Sequence, residues 1–194
     1  MKTASVIIIL CMLIACSDES DMSKYSNLVK KELKANKRVD SIFFGIYLGM
    51  PRKKFFMHCW EMNKNGMFRD GTNNSYVLYK LDKELKYPAS MNFYPDFIDS
   101  TIWRMRVNFQ YDGWAPWNKH LNADSLLPDV LTMYKKWYGD GNSFIQITDE
   151  IRGTLYVKVD GNRKLIIGKY DDVLVKVEYT DILVEKQIKR KDEK

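Results

Sequence analysis

Between residues 102 and 111 the chain reads IWRMRVNFQY, and in it Trp103, Met105, Val107, Phe109 and Tyr111 alternate with Arg104, Arg106, Asn108 and Gln110. A period of two places successive side chains on opposite faces of an extended strand, so one face of this strand meets a core and the other meets water. A helix would scatter these residues around its whole circumference. The strand therefore belongs to a sheet with one face on a core.

The rest of the chain agrees with that frame. Two further strand-like segments precede it, at 76–81 and 87–94, and four follow, at 143–148, 153–159, 164–169 and 173–180. Asp160-Gly161-Asn162 and Tyr170-Asp171-Asp172 supply turns between the last three. Helical spacing marks 20–37, where Tyr25, Leu28, Val29 and Leu33 share a stripe, and 51–64, where Phe55, Cys59 and Met62 follow Pro51 and Gly66 closes the unit. A third helix ends near Tyr138 with Leu127, Val130, Leu131, Tyr134 and Trp137 on one face, Pro128 in its first turn and Asp124 or Ser125 as N-cap. Runs of strands between isolated helices define an α+β fold, an antiparallel sheet with two or three packed helices. The two halves share a rhythm of helix then meander, which leaves room for a duplicated unit, although no residue-level repeat accompanies it.

The first fifteen residues follow a different pattern. Lys2 precedes an unbroken apolar run at 6–15, VIIILCMLIA, which has the length of a signal-peptide core and is too short for a bilayer span of about 20 residues. The tetrad Leu13-Ile14-Ala15-Cys16 then resembles the lipobox of bacterial lipoproteins. That resemblance implies cleavage before Cys16 and acylation of its thiol and new amine, which makes Cys16 the lipidation site. Ser17 in place of Asp, followed by Asp18-Glu19-Ser20-Asp21, is similar to the pattern of outer-membrane lipoproteins, on the periplasmic side or at the cell surface. The expected organisation is a signal peptide at 1–15, a tether at 16–22, one α+β domain at 23–185 and a charged tail at 186–194. Cys11 leaves with the signal and Cys16 goes to lipid, so Cys59 stands alone, without a disulfide, as a small buried hydrophobe.

The stretch GIYLGMPRKKFFMHCW, 45–60, resembles the opening of β-lactamase-inhibitor-like and small-protein-A-like lipoprotein modules, through Leu48, Gly49 and Met50 before a helix. Pro51 stands where those modules carry Ser or Thr. The likeness covers about sixteen residues and implies a helix-and-sheet module that binds proteins instead of transforming substrates.

Signals for chemistry are sparse. His58 and Cys59 are adjacent, point about 100° apart on a helix, and belong to no CxxC, HxxH or HxxxH spacing, so no metal and no cofactor is expected. A thiol nucleophile would need the fold to join Cys59 to His120, and no GxSxG or phosphate-loop motif is present. The net charge of +6 comes from scattered residues and a basic C-terminal run, which reads as a solvated end and not as a nucleic-acid footprint. Arg104, Arg106, Lys135 and Lys136 are either a basic surface or separate solvated faces. The most suggestive stretch is YDGWAPWNKH, with two tryptophans three apart in a loop. Either the rings cover an edge of the core or Trp114, Trp117, Asn118 and His120 form a recognition surface for a protein or a glycan. The expected function is a lipid-anchored binding or assembly module; the alternative is a small hydrolase that works through a carboxylate pair.

Overall fold

The computed structural model describes residues 20–71 and 75–193. In it eight strands form one sheet, every pairing antiparallel, with four helices against it. The helices are α1 (Asp21–Lys34), α2 (Arg52–Lys64), α3 (Ala123–Trp137) and α4 (Ile182–Asp192). The strands are β1 (Arg69–Asp70), β2 (Val77–Leu81), β3 (Ala89–Ile98), β4 (Thr101–Tyr111), β5 (Ile145–Asp149), β6 (Gly153–Asp160), β7 (Arg163–Lys169) and β8 (Val175–Asp181). Residues 1–19, with the lipobox and Cys16, lie outside the described residues.

The spatial order is β1-β2-β3-β4-β8-β7-β6-β5. Each half is a helix followed by a four-strand meander, and the last strands of the two meanders, β4 and β8, pair at the centre from Arg104↔Thr180 to Phe109↔Val175. The duplicated rhythm of the sequence thus corresponds to a repeated topology.

The front face of the sheet carries the main core. Met91 and Phe93 of β3, Met105, Val107, Phe109 and Tyr111 of β4, Leu165 and Ile167 of β7, and Val175, Val177 and Tyr179 of β8 are all buried there. Helix α3 covers it with Leu126, Val130, Met133 and Tyr134. Asn122 is the N-cap, its side-chain oxygen accepting from the Ser125 amide, so the helix begins earlier than Asp124 or Ser125 and Pro128 is an interior residue. Pro128 lies on the exposed side, where the carbonyl that lost its donor faces solvent. Helix α2 follows Pro51 as N-cap and packs Phe55 against Tyr94 and Phe97, in the part of β3 that runs on beyond its pairing with β2.

One inward position of the sequence pattern is displaced. The register of β3 and β4 slips between Asp96↔Arg104 and Phe97↔Ile102, leaving Trp103 as the extra residue of a bulge. Ile102 is buried in the core instead, while Trp103 is half-buried and carries the Arg104 guanidinium on its ring at 4.7 Å. The adjoining Asp99-Ser100 turn has positive φ at both residues, as a tight two-residue hairpin requires.

On the back face, α1 and α4 cover only the second half. Ile147, Leu155, Val157, Val159 and Ile182 form a second core there, with Tyr25, Leu28, Val29 and Leu33 of α1 packed against it. Helix α1 begins at Asp21, within the stretch read as tether, and α4 runs through the boundary drawn at 185/186. The charged C-terminal segment is thus largely a helix, started by Asp181, whose carboxylate accepts from the amides of Leu183 and Val184. Among the described residues no helix is long and apolar enough to cross a membrane.

Candidate binding surfaces

The uncovered half of the back face is built from the polar positions of β2, β3, β4 and β8. Alternation sends Lys80, Ser90, Asn92, Asp96, Arg104, Arg106, Asn108, Gln110, Lys176 and Glu178 to that side, the partners across each ladder sharing it. Asp96 receives Arg104 Nε at 2.5 Å and is also bridged by Arg106, and Arg104 lies 3.9 Å from Glu178. At the other end Asp112 holds Lys80 Nζ at 2.9 Å and the Ser90 hydroxyl at 2.5 Å. Between these clusters a depression of about 470 Å³ is lined by Tyr76, Tyr94, Arg106, Asn108, Lys176 and Glu178. Tyrosines beside arginines that are already oriented by carboxylates can bury apolar area and donate charge-assisted hydrogen bonds with little further ordering. Arg104 and Arg106 belong to this back face, whereas Lys135 and Lys136 project from α3 on the front, so the four do not form one basic surface.

The tryptophan loop leaves the sheet immediately after Asp112. Trp117 is 86% exposed, and Trp114 is half-buried. The backbone of Asn118 closes the loop, donating to Ala115 and accepting from Leu121, and His120 is exposed in the single 3-10 turn that follows, Lys119–Leu121. The two rings therefore differ in exposure: Trp114 is partly shielded and Trp117 faces solvent.

His58 and Cys59 have structural surroundings. The Nε2 of His58 lies 2.7 Å from the carbonyl of Phe44, and Cys59 is a free, half-buried thiol packed on the core. Burial pushes that thiol up to about 12, opposite to the direction a nucleophilic cysteine needs. Among the described residues no group of His, Cys, Asp and Glu is placed to hold a metal ion.

A buried polar network at the β6–β7 turn has no signature in the amino-acid sequence. Lys158, 2% exposed, directs its ammonium to the carbonyls of Asp140 and Asn142 and to Asp160. Arg163 joins Asp160 to Ser41, and Asp181 receives Arg38 and Asn162. Gly161 turns the chain with φ +57, and a Cβ there would lie 2.3 Å from the carbonyl oxygen of Lys37, so only glycine fits. In sequence these residues look like ordinary hairpin charges, because Asp160 pairs with its near neighbours Lys158 and Arg163, while Arg38, the partner of Asp181, and the carbonyls of Asp140 and Asn142 that hold Lys158 lie far away along the chain. Comparison with protein-family models, with curated proteins and with solved structures finds no match for this chain.

Proposed function

We propose that this protein is a lipid-anchored envelope lipoprotein, acylated at Cys16 and held at the outer membrane, that works as a non-enzymatic binding module for a protein partner. The observation that carries the reading is the uneven cover of the sheet: α1 and α4 shield the second half of the back face, while the first half presents Tyr76, Tyr94 and Arg106 around an open depression. Aromatic residues and arginine are the side chains enriched at protein interfaces. Trp117, exposed in the loop that follows β4 together with Trp114, Asn118 and His120, is a further candidate contact residue. The buried carboxylates are engaged as structural counter-ions, Asp160 by Lys158 and Arg163 and Asp181 by Arg38, which favours binding over hydrolysis. The short likeness of 45–60 to protein-binding lipoprotein modules points the same way.

A photo-crosslinking residue placed at 106 or 76 in the native envelope tests the surface, with position 150 on the covered half as control. The expected result is one discrete protein adduct from 106 and 76 that is absent from 150 and lost with Tyr94→Ala. Equal adducts from all three positions would overturn the assignment. Mass analysis of the mature N-terminus tests the anchor: the expected first residue is an acylated Cys16, since one chain alone holds only marginally and stable anchoring needs more than one.

A further inference from the structure

On the front face, and separate from the proposed protein surface, the segment after α1 and the end of α3 enclose a second cleft of about 470 Å³. Its walls are aromatic: Phe44 and Trp137, with centroids 6.0 Å apart and planes at 70°, and Tyr138, which carries the guanidinium of Arg163 on its ring at 4.7 Å. Its polar groups are Arg163 and Asp140. The cleft is preformed. The Tyr138 hydroxyl donates to the carbonyl of Ile42 and so ties the end of the helix to the facing segment. Phe44 holds φ +49, a left-handed conformation that is strained for a bulky residue, and His58 fixes it through its carbonyl. Its ring is wedged between Tyr79 and Phe68, 4.5 and 5.7 Å away by centroid.

The charged residues that line the cleft are Arg163 and Asp140, one of each sign. Several hydrogen-bonding groups still lack a partner among the described residues. Asp140 engages the network only through its backbone carbonyl, so its carboxylate is free to accept. Arg163 places Nη1 on the carbonyl and hydroxyl of Ser41 and Nη2 on Asp160, which uses three of the five N–H groups of a guanidinium and leaves two. A neutral site with flat apolar walls, one open carboxylate and spare N–H donors suits an uncharged ring that has a C–H face and an edge of hydroxyls.

We infer that this cleft binds a neutral sugar residue, its C–H face against Trp137 and its hydroxyls on Asp140 and Arg163. The volume matches one or two pyranose units, which would be the terminal part of a glycan.

Saturation-transfer NMR with a panel of neutral methyl glycosides (glucose, galactose, mannose, xylose, fucose and N-acetylglucosamine) tests it, on the full protein in detergent. The expected result is saturation concentrated on the C–H protons of one ring face for at least one glycoside. Binding should weaken at least tenfold in Asp140→Ala, an exposed position whose substitution leaves the fold in place, and also in Trp137→Leu, with folding checked by melting. Absence of saturation for every glycoside at millimolar concentration would overturn the proposal, as would binding that persists unchanged in Asp140→Ala. Stronger binding of benzoate or of an N-acetylated aromatic amino acid amide than of any glycoside would overturn the sugar class. The crosslinks from position 106 report the sheet surface separately, so failure here leaves the protein-binding reading standing, and failure there leaves this one.

Discussion

The two halves of the sheet have the same topology and opposite back faces. In β5, β6 and β7 the apolar back-facing residues are Ile145, Ile147, Leu155, Val157, Val159 and Ile166, beside Lys164, which pairs with Glu185 of α4, and α1 and α4 close over them. In β3 and β4 the equivalent positions hold Ser90, Asn92, Tyr94, Asp96, Arg104, Arg106, Asn108 and Gln110, and among the described helices only α2 touches them, through Phe55 beside Tyr94. The contrast shows that cover is determined by the strands more than by the availability of helices. β5 and β6 alternate as β4 does, but their apolar side is the back one, so the second layer lies there, whereas β3 and β4 turn their apolar side to the front core and keep water on the back. What remains open is then free to serve as a contact surface.

Breaking the covered half should have the largest effect. Asp181 is 2% exposed, caps α4 and accepts from Arg38 and Asn162, so Asp181→Ala strips a buried charge network of its acceptor. The expected loss is about 3–5 kcal/mol by denaturant titration. Asp96→Ala, which removes the carboxylate between Arg104 and Arg106 on the open half, should cost no more than about 1 kcal/mol, because partly exposed pairs are screened. A loss of similar size for both would erase the distinction between the halves.

The apolar cover offers a second comparison. Leu155→Ala empties a buried position beneath α1 and should cost about 2–5 kcal/mol, while Asn108→Ala on the open half should stay within about 0.5 kcal/mol. If α1 were only loosely applied, Leu155→Ala would fall near the bottom of that range or below it, and the protection of β5 and β6 amides from exchange would be low in the unaltered protein.

The front core, shared by both halves, should respond to alkali as one unit. Burial pushes Cys59 up to about 12 from an ordinary 9.0, and Tyr138 up to about 12 from 10.0. Both groups therefore keep their protons in the folded state at pH values where the unfolded chain has lost them. Their contribution is fully present below the unfolded values and falls away as pH rises from about 9 to about 12, so stability declines through that window. Cys59→Ala should flatten the lower part of the decline. A stability curve level from pH 9 to 12 would contradict the burial of both groups, and rapid thiol labelling at pH 8 would contradict that of Cys59.

Much of this division can be seen in the residues themselves, and the parts that cannot have a physical reason. The alternation at 105–111 and the turns at Asp160-Gly161 and Asp171-Asp172 locate strands and hairpins, because these depend on neighbours in sequence. The bulge at Trp103 was invisible, since a single extra residue follows from the pairing of β3 with β4 and not from either strand alone. Helix α4 was missed because only its first turn packs: Ile182 is buried, and the residues after Glu185 are mostly exposed and charged, which reads as a solvated end. The cleft beside Arg163 was equally hidden. It joins Phe44, Trp137 and Arg163 from three separate stretches, and only the fold brings them together. The candidate loop was legible as a loop, but its two tryptophans could not be told apart by composition.

The smallest stability effect is expected at Trp117, and it bears most directly on the open half. At 86% exposure the ring has almost no protein contacts to lose, so Trp117→Ala should change the melting midpoint by less than about 0.5 kcal/mol equivalent. Trp114 is half-buried and should cost more, on the order of 1–2 kcal/mol, below the roughly 3–5 kcal/mol of a fully buried Trp. A double substitution mixes these two contributions, so each residue has to be changed alone. If the open half and the loop form one contact surface, Trp117→Ala should reduce the crosslinked adduct from position 106 at least tenfold while the midpoint stays in place. An unchanged adduct would separate the loop from the sheet and confine the binding surface to Tyr76, Tyr94 and Arg106. A large drop in the midpoint would instead show that Trp117 folds back onto the protein in solution, and the loop would then be a cover for the core edge.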